Sequence, residues 1–563
     1  MLSFVNWSGK YPVVSLGVIA LLIGVIMSEH HLFAQDAKSR LEQFMEQYQK
    51  DYHRLYCDVS YTWWDSMISG KEEDFERSTQ ASLAMSAYHA SAEKYQELKK
   101  LYDECGDQLS PLEKRAAYVA CRMFEESQLP PDLMEKMIAT GNEIEQIFQT
   151  QRGTLDGKEY TNNELLEMLE KEEDSTRRYE IWDSLKQVGD LVAPRLIELA
   201  KIRNEAARHL GYNNYWEMRV SFQEYDPEEL TRLFEELEQL TTPIFTEVKA
   251  DLDDELKQRF GVSKIMPWHY DNPFFQQAPP SRDVDPNEFY NQKTGQDIVD
   301  MATRYYDTLG LETRSIIAGS DLFEKPGKSQ HGFCNNMNLE GDVRILCNIK
   351  PTAEWMDTQL HELGHSVYDF YLDKNLPYNI RSVAHIFTTE GVAMMFGAKA
   401  RDPQWLVQFA GADSERVAEV TEALKKQRLR EQLIFCRWTL VMFYFERALY
   451  ENPDQDLNTL WWDIVEKYQL MPRPEGRHQA DWASKPHFVI APVYYHNYML
   501  GELFGAQLRK SLESQAQNDP KKFGQLLIEK VFLPGNTLPW EQFVEQATGE
   551  PFSAKAFAEE LKK

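Results

Sequence analysis

The stretch Thr352–Asp373, TAEWMDTQLHELGHSVYDFYLD, decides how the rest of the chain is read. Trp355, Met356, Leu360, Leu363, Val367, Phe370 and Tyr371 recur at helical spacing, which predicts one amphipathic helix. Pro351-Thr352 supplies a start signal and Asn375-Leu376-Pro377 a stop. Within it lies His361-Glu362-Leu363-Gly364-His365. Histidines four apart project from the same side of a helix, so both imidazoles can hold one metal ion. Glu362 between them is placed to orient and deprotonate a water on that metal. This is the core of a zinc hydrolase, in which zinc brings bound water to a pKa near ~7. The plainer alternative is a pair of satisfied core histidines on a buried helix. Gly364 costs a helix interior roughly 1 kcal/mol relative to alanine, which points to close approach of a second element, such as one carrying a third ligand.

Catalytic zinc takes three protein ligands and leaves one position open. The pattern HExxHxxGxxH would put a glycine and a histidine where this chain has Tyr368 and Tyr371. The remaining route is a glutamate on a second helix packed against the first. Glu390, inside the run Phe387–Phe396, lies 25 residues after His365, which leaves room for a turn through Pro377. An acidic side chain beside an otherwise apolar run is expensive to bury unless it is paired or bound to metal. His385 competes for the role, but its flanks, Val383-Ala384 and Ile386-Phe387, suit a packed or substrate-facing histidine equally well. Glu390 is preferred.

No Gly/Ser/Pro-rich linker divides the 563 residues, and HExxH occurs once, with no internal repeat. Helical patterns dominate, for example over Pro111–Glu126, Asn163–Glu173, Pro227–Phe260 and Gln427–Tyr450. Short strand-like runs occur at Val343–Ile349 and Phe488–Ile490. The expected architecture is mainly α: one large helical domain over residues 35–563, with a small sheet beside a cleft next to the HExxH helix. With 61 basic against 90 acidic residues, the formal net charge is -29. This balance argues against a nucleic-acid partner, because phosphate neutralisation needs a basic stripe.

Lys10 precedes an uncharged, largely apolar run from Pro12 to Met27. It is short for a membrane span, which needs about 20 residues, and suits an export signal over residues 1–34 with cleavage after Ala34. An uncleaved anchor is the alternative, and only then is a membrane involved. Either way the remainder is expected outside the cytoplasm, secreted or periplasmic. Six cysteines are compatible with disulfides there, Cys334–Cys347 and Cys105–Cys121 among the fifteen connectivities.

A second constellation lies downstream: Lys485-Pro486-His487, then Tyr494-Tyr495-His496-Asn497-Tyr498. Amide hydrolysis passes through a tetrahedral oxyanion, for which tyrosine hydroxyls and imidazole N–H groups are suitable donors. Tyr495 and Tyr498 share a face if helical, and a lone lysine can hold a peptide's terminal carboxylate. Periodicity alone favours an aromatic core helix, since Met499, Leu500, Leu503 and Phe504 continue the apolar pattern.

The block Cys334–Phe396 followed by Leu460–Phe504 resembles the catalytic half of the angiotensin-converting enzyme family, zinc peptidyl-dipeptidases of the gluzincin type. The resemblance rests on HELGH, the Leu376-Pro377 turn, Glu390, Trp461-Trp462, Lys467-Tyr468, Lys485-x-His487 and Tyr495-x-x-Tyr498. Arg203-Asn204-Glu205-Ala206-Ala207 followed by Gly211-Tyr212-x-x-Tyr215-Trp216 extends it, so that it spans roughly Glu180 to Leu508. It implies a helical ellipsoid split by a deep substrate channel and one zinc per chain. His361, His365 and Glu390 match the zinc ligands and Glu362 the general base. Tyr498 and His487 match the residues at the oxyanion and substrate backbone. Lys485 with Tyr495 matches the pair holding the terminal carboxylate, and His331 a further substrate contact ahead of an edge strand. Val343–Ile349 would pair with the bound peptide by strand addition.

The chain departs from that pattern in several places. Glu390 falls one residue later than in the family, as does Tyr495 relative to His487. Met394 stands where an acid would orient a zinc histidine, and His496-Asn497 replaces an arginine that contacts chloride, which argues against chloride activation. The thimet and oligopeptidase F family shares HExGH, a glutamate at this distance and a downstream His and Tyr pair, and would imply internal cleavage of short peptides. Lys485 and Trp461-Trp462 favour the first family. The expectation is a secreted zinc metallopeptidase that removes dipeptides from the C-termini of short peptides. A catalytically silent peptide-binding descendant is the weaker alternative, since no ligand or base is missing.

Overall fold

The computed structural model describes the backbone of residues 16–562 and side chains from residue 36. Of the expected export segment, residues 1–15 lie outside the described residues, and only helical backbone is described for 16–35. No described helix is long and apolar enough to cross a membrane. The chain is mainly α-helical, with two small antiparallel sheets of two strands each among the described residues.

Local sequence explains where the helices begin. In α1 (Leu16–Ser69) the apolar stripe of Leu41, Tyr48 and Leu55 turns inward. Ser110 and Glu113 form a reciprocal capping box at the head of α2 (Pro111–Glu126), and Thr161 with Glu164 does the same for α3 (Asn162–Lys171). Then come α4 (Ser175–His209) and α5 (Pro227–Phe260), the latter started by Asp226 and Pro227 and stopped by Gly261 in the left-handed region. These bounds follow the sequence pattern closely. The Gln427–Tyr450 pattern proves to be part of a longer helix, Ser414–Glu451.

The small hairpin β1 (Gly153–Leu155) and β2 (Lys158–Tyr160) caps the far side of α4. The second pair, β3 (Phe333–Asn336) and β4 (Val343–Leu346), lies against the HExxH helix with Cys334 opposite Ile345. Two expectations are corrected here. Val343–Ile349 is no free edge: Asp321 N–H donates to the Ile345 carbonyl, Cys347 N–H to the Asp321 carbonyl, and Ile349 N–H to the Leu322 carbonyl, each at 2.9 Å. The strand whose other edge carries no strand is β3. No Cys334–Cys347 bridge forms, because the residue facing Cys334 is Ile345, and all six thiols are free.

Three helices build the rest of the site: α6 (Ala353–Phe370), capped by Thr352, α7 (Ile386–Gly397) and α10 (His496–Ala516). Between the last two in sequence run α8 (Ser414–Glu451) and the short α9 (His487–Ile490). The last corrects the strand expected at Phe488–Ile490. Pro486 enters in the helical region, and buried Arg203 of α4 donates to the carbonyls of Phe488, at 2.6 Å, and Val489, at 2.9 Å, so the β-branched run is overruled by its anchor. A separate apolar cluster, including Leu98, Leu101 and Phe124, lies under the N-terminal helices. Arg115 of α2 ties it to the main body through both oxygens of Glu224 and the Asn536 carbonyl.

The helices α6, α7 and α10 meet backbone to backbone. A methyl added at Gly364 would lie 2.7 Å from Ala393 Cα. One at Gly391 would lie 2.6 Å from the Gly501 carbonyl oxygen, and one at Gly505 2.8 Å from that of Gly391. Gly391→Ala is therefore expected to destabilise the protein by about 1–3 kcal/mol, read as a lower denaturation midpoint. Gly141→Ala, at a helical position with nothing within 4 Å, should instead stabilise it by up to about 1 kcal/mol.

Candidate active site

The helical repeat of α6 brings His361 Nε2 and His365 Nε2 to 3.1 Å from each other. The Gly364–Ala393 contact sets α7 against this face, and Glu390 Oε2 lies 3.7 Å from the first nitrogen and 3.8 Å from the second. Donors in a tetrahedral zinc shell with bonds of 2.0–2.1 Å stand roughly 3.3 Å apart, so the three fit one zinc ion with small adjustment. It is the one such cluster among the described residues. His365 Nδ1 lies 2.6 Å from Thr389 Oγ1. That bond fixes the ring and leaves Nε2 for a metal. Thr389 thus gives His365 a hydrogen-bond partner of a kind that the thioether of Met394 does not offer.

Burial dominates the electrostatics. It pushes His361 down to about 4 and His365 well below its ordinary value, so both are neutral donors. Burial raises Glu390 to about 7. Glu362 rises to about 8, through burial first and Glu390 second, while the backbone amide of Cys334 acts in the opposite sense. Two carboxyls poised near neutrality beside two neutral imidazoles are the surroundings a divalent cation would settle, drawing both acids back to the ionised form.

The Cys334 amide reaches Glu362 for a geometric reason. Ile345 directs its peptide groups away from β3, its N–H to Ser320 Oγ at 2.8 Å and its carbonyl to Asp321. Cys334, directly opposite, must therefore direct its own away from β4. Ser366 Oγ of α6 meets Cys334 Sγ at 3.2 Å, closing strand and helix together. His331 lies exposed just ahead of β3.

His385 is not in the cluster. It caps α7, with Nε2 2.7 Å from the Gln223 carbonyl and Nδ1 3.3 Å from the Tyr225 hydroxyl. The same turn receives His496-Asn497. Tyr225 donates to Asn497 Oδ1 at 2.7 Å, and Gln223 Oε1 accepts from Asn497 Nδ2 at 2.7 Å and lies 3.0 Å from His496 Nε2. Burial first, then His385, pushes His496 down to about 3, so the network is neutral.

The downstream residues converge on one wall. Lys485 is buried and donates to Gln276 Oε1 at 2.5 Å, its ammonium 5.2 Å from the Trp438 ring centre and 5.6 Å from that of Tyr495. Burial lowers it to about 8. The His487 ring lies 5.0 Å from that of Tyr495, tilted by 55°, and its Nδ1 has no hydrogen-bond partner. Burial, then Lys485, lowers it to about 4. The Tyr495 hydroxyl accepts from Trp438 Nε1 at 2.7 Å. Tyr498, 5.4 Å from Tyr495, is raised by burial and by Glu390, which links this wall to the metal cluster. Tyr494 feels Glu390 as well. Gln276 carried no signal in the sequence, and Tyr494 showed there only as part of the downstream aromatic run, with no role of its own. The Thr388-Thr389-Glu390 run did, since a hydroxyl beside a ligand is a ready partner for a ligand's imidazole.

Two histidines from one helix and a glutamate from the next are a donor set of the kind that holds zinc in metallopeptidases. A sequence model of angiotensin-converting enzyme matches residues 35–559, and the chain belongs to that family. The angiotensin-converting enzyme of Mus musculus is 22% identical over 567 residues, covering 91% of this chain and 42% of its own. That of Rattus norvegicus is 23% identical over 423 residues, covering 67% and 32%. The chain thus spans less than half the length of these curated relatives. Glu390→Ala should lose most bound zinc and Thr389→Val should weaken binding about 10–100-fold, whereas His385→Ala should keep it near the unmodified protein's, as measured by metal content after dialysis. The opposite ranking would exchange the roles of Glu390 and His385.

Proposed function

We propose that the protein is an exported zinc metallopeptidase that releases dipeptides from the C-termini of short peptides. The observation that carries this reading is Lys485. It is a buried ammonium whose partner is a neutral amide, on the wall that Tyr498 joins to the His361–His365–Glu390 cluster. Such a cation, with Gln276 and Tyr495 beside it, suits a free terminal carboxylate and would fix the cleaved bond two residues from the end. Zinc, when bound by the three donors, supplies a Lewis acid and acidifies water. Glu362 takes the proton of the attacking water and returns it to the leaving amine. Tyr498 and His487 donate to the oxygen on which negative charge grows, and the unpartnered ring nitrogen of His487 supports that role.

The peptide backbone would run along β3, meeting the outward peptide group of Cys334, with His331 as a further contact. Residues 35–563 would act as one peptidase unit and 1–34 as its export signal or anchor. The neutral Tyr225–Asn497–Gln223 network supports activity without chloride.

Glu362→Gln should retain zinc yet lose most turnover, because the ligands remain and the base does not; an active variant would refute the assignment. Free-ended peptides should release dipeptides, and C-terminal amidation should suppress turnover. Lys485→Ala should cost about 2–5 kcal/mol in kcat/KM on free-ended peptides and little on amidated ones. Because Lys485 binds only when protonated and sits at about 8, kcat/KM for free-ended peptides should fall as pH rises through that value. Lys485→Ala should abolish that limb. Equal cleavage of free and amidated peptides at internal bonds would support the oligopeptidase reading instead.

A further inference from the structure

A second buried lysine lies beside the first. Lys186 of α4 is 3% exposed, and its ammonium sits 3.1 Å from the centre of the Phe274 ring. Lys485 approaches the same ring at 5.6 Å. The two are brought together by Gly189, one turn along α4, whose missing side chain lets the Ala480 carbonyl rest on the helix just before the chain turns into Lys485.

Neither ammonium has a carboxylate partner. The acid nearest Lys186 in effect is Asp481, but Arg477 already holds both of its oxygens at 2.7 Å, and Trp462 Nε1 donates to it at 3.0 Å. Asp183 is likewise taken by Arg477. Lys186 is left with the faces of Phe274 and Trp182. A buried charge without a counter-ion is expensive, and a bound anion would relieve both lysines at once.

We propose that Lys186 and Lys485 form a two-cation subsite selecting peptides whose C-terminal residue is Glu or Asp, Lys485 taking the terminal carboxylate and Lys186 the side-chain carboxylate. This rests on the dipeptidase reading above. Burial first, then Arg477 and Lys485, hold Lys186 well below the usual lysine range against the opposing pull of Asp481, so an acidic terminus would bind with uptake of a proton.

The test compares peptides ending in Glu with otherwise identical ones ending in Gln. The zinc-loaded protein should favour Glu at least about tenfold in kcat/KM. Lys186→Met should bring the ratio to near unity, and Lys186→Arg should preserve the preference. Calorimetry of product dipeptides in buffers of different ionisation enthalpy should show more proton uptake for the Glu product than for the Gln product, which protonates Lys485 alone, a readout that needs no variant. Dipeptide release with equal rates on both substrates, or equal proton uptake, would overturn this inference and leave the dipeptidase reading intact. Products other than dipeptides would overturn that reading itself. Chloride raising the Gln substrate to the rate of the Glu substrate would assign Lys186 to a free anion and refute the proposal.

Discussion

Everything at the site depends on α6, α7 and α10 touching through their backbones. Gly364, Gly391, Gly501 and Gly505 hold the three helices closer than any side chain would allow, and the functional groups are placed by that distance. Glu390 follows Thr389 and precedes Gly391, so the residue that approaches the two histidines is flanked by one that orients a histidine and one that admits the neighbouring helix. Gly501 lies one turn beyond Tyr498, which is why a residue more than a hundred positions downstream feels the charge of Glu390. Packed interiors are as dense as crystals of small molecules, so this spacing has no slack to absorb an extra carbon.

The depth created by that packing also sets the charge states. Burial is the main influence on His361, His365, Glu362, Glu390, Lys485 and His487 alike, and in each case it disfavours the charged form. The site is therefore low in charge until a cation and an anionic peptide enter it. Such ligands would leave the two histidines neutral and charge Glu390, Glu362 and Lys485 together, in a surrounding where each interaction is stronger than in water.

The fold was legible wherever local chemistry and periodicity agreed. Periodicity marked α2, α3 and α5 to within two residues, with capping boxes and proline starts fixing their heads, and the spacing of His361 and His365 needs only the pitch of a helix. Gly364 announced a close neighbour, and the neighbour is the helix of Glu390. What sequence left hidden was tertiary. Whether β3 or β4 carries the outer edge depends on residues 320–322, which follow no strand pattern. Phe488–Ile490 reads as strand and folds as helix because Arg203, nearly three hundred residues earlier, takes its carbonyls. Gln276 is an amide in a loop, with no motif around it, and only the folded chain brings it to Lys485.

The open edge of β3 has one more consequence. An unpaired strand edge invites other chains to add to it, which is the usual beginning of aggregation. Here the edge is four residues long and partly buried. One of its outward peptide groups faces the Glu362 carboxyl, and the Asn336 carbonyl is already met by the Tyr56 hydroxyl at 2.9 Å. So short an edge, with these groups already engaged, offers little length for another strand to pair with. The short edge and the net charge of -29 both act against self-association through this strand.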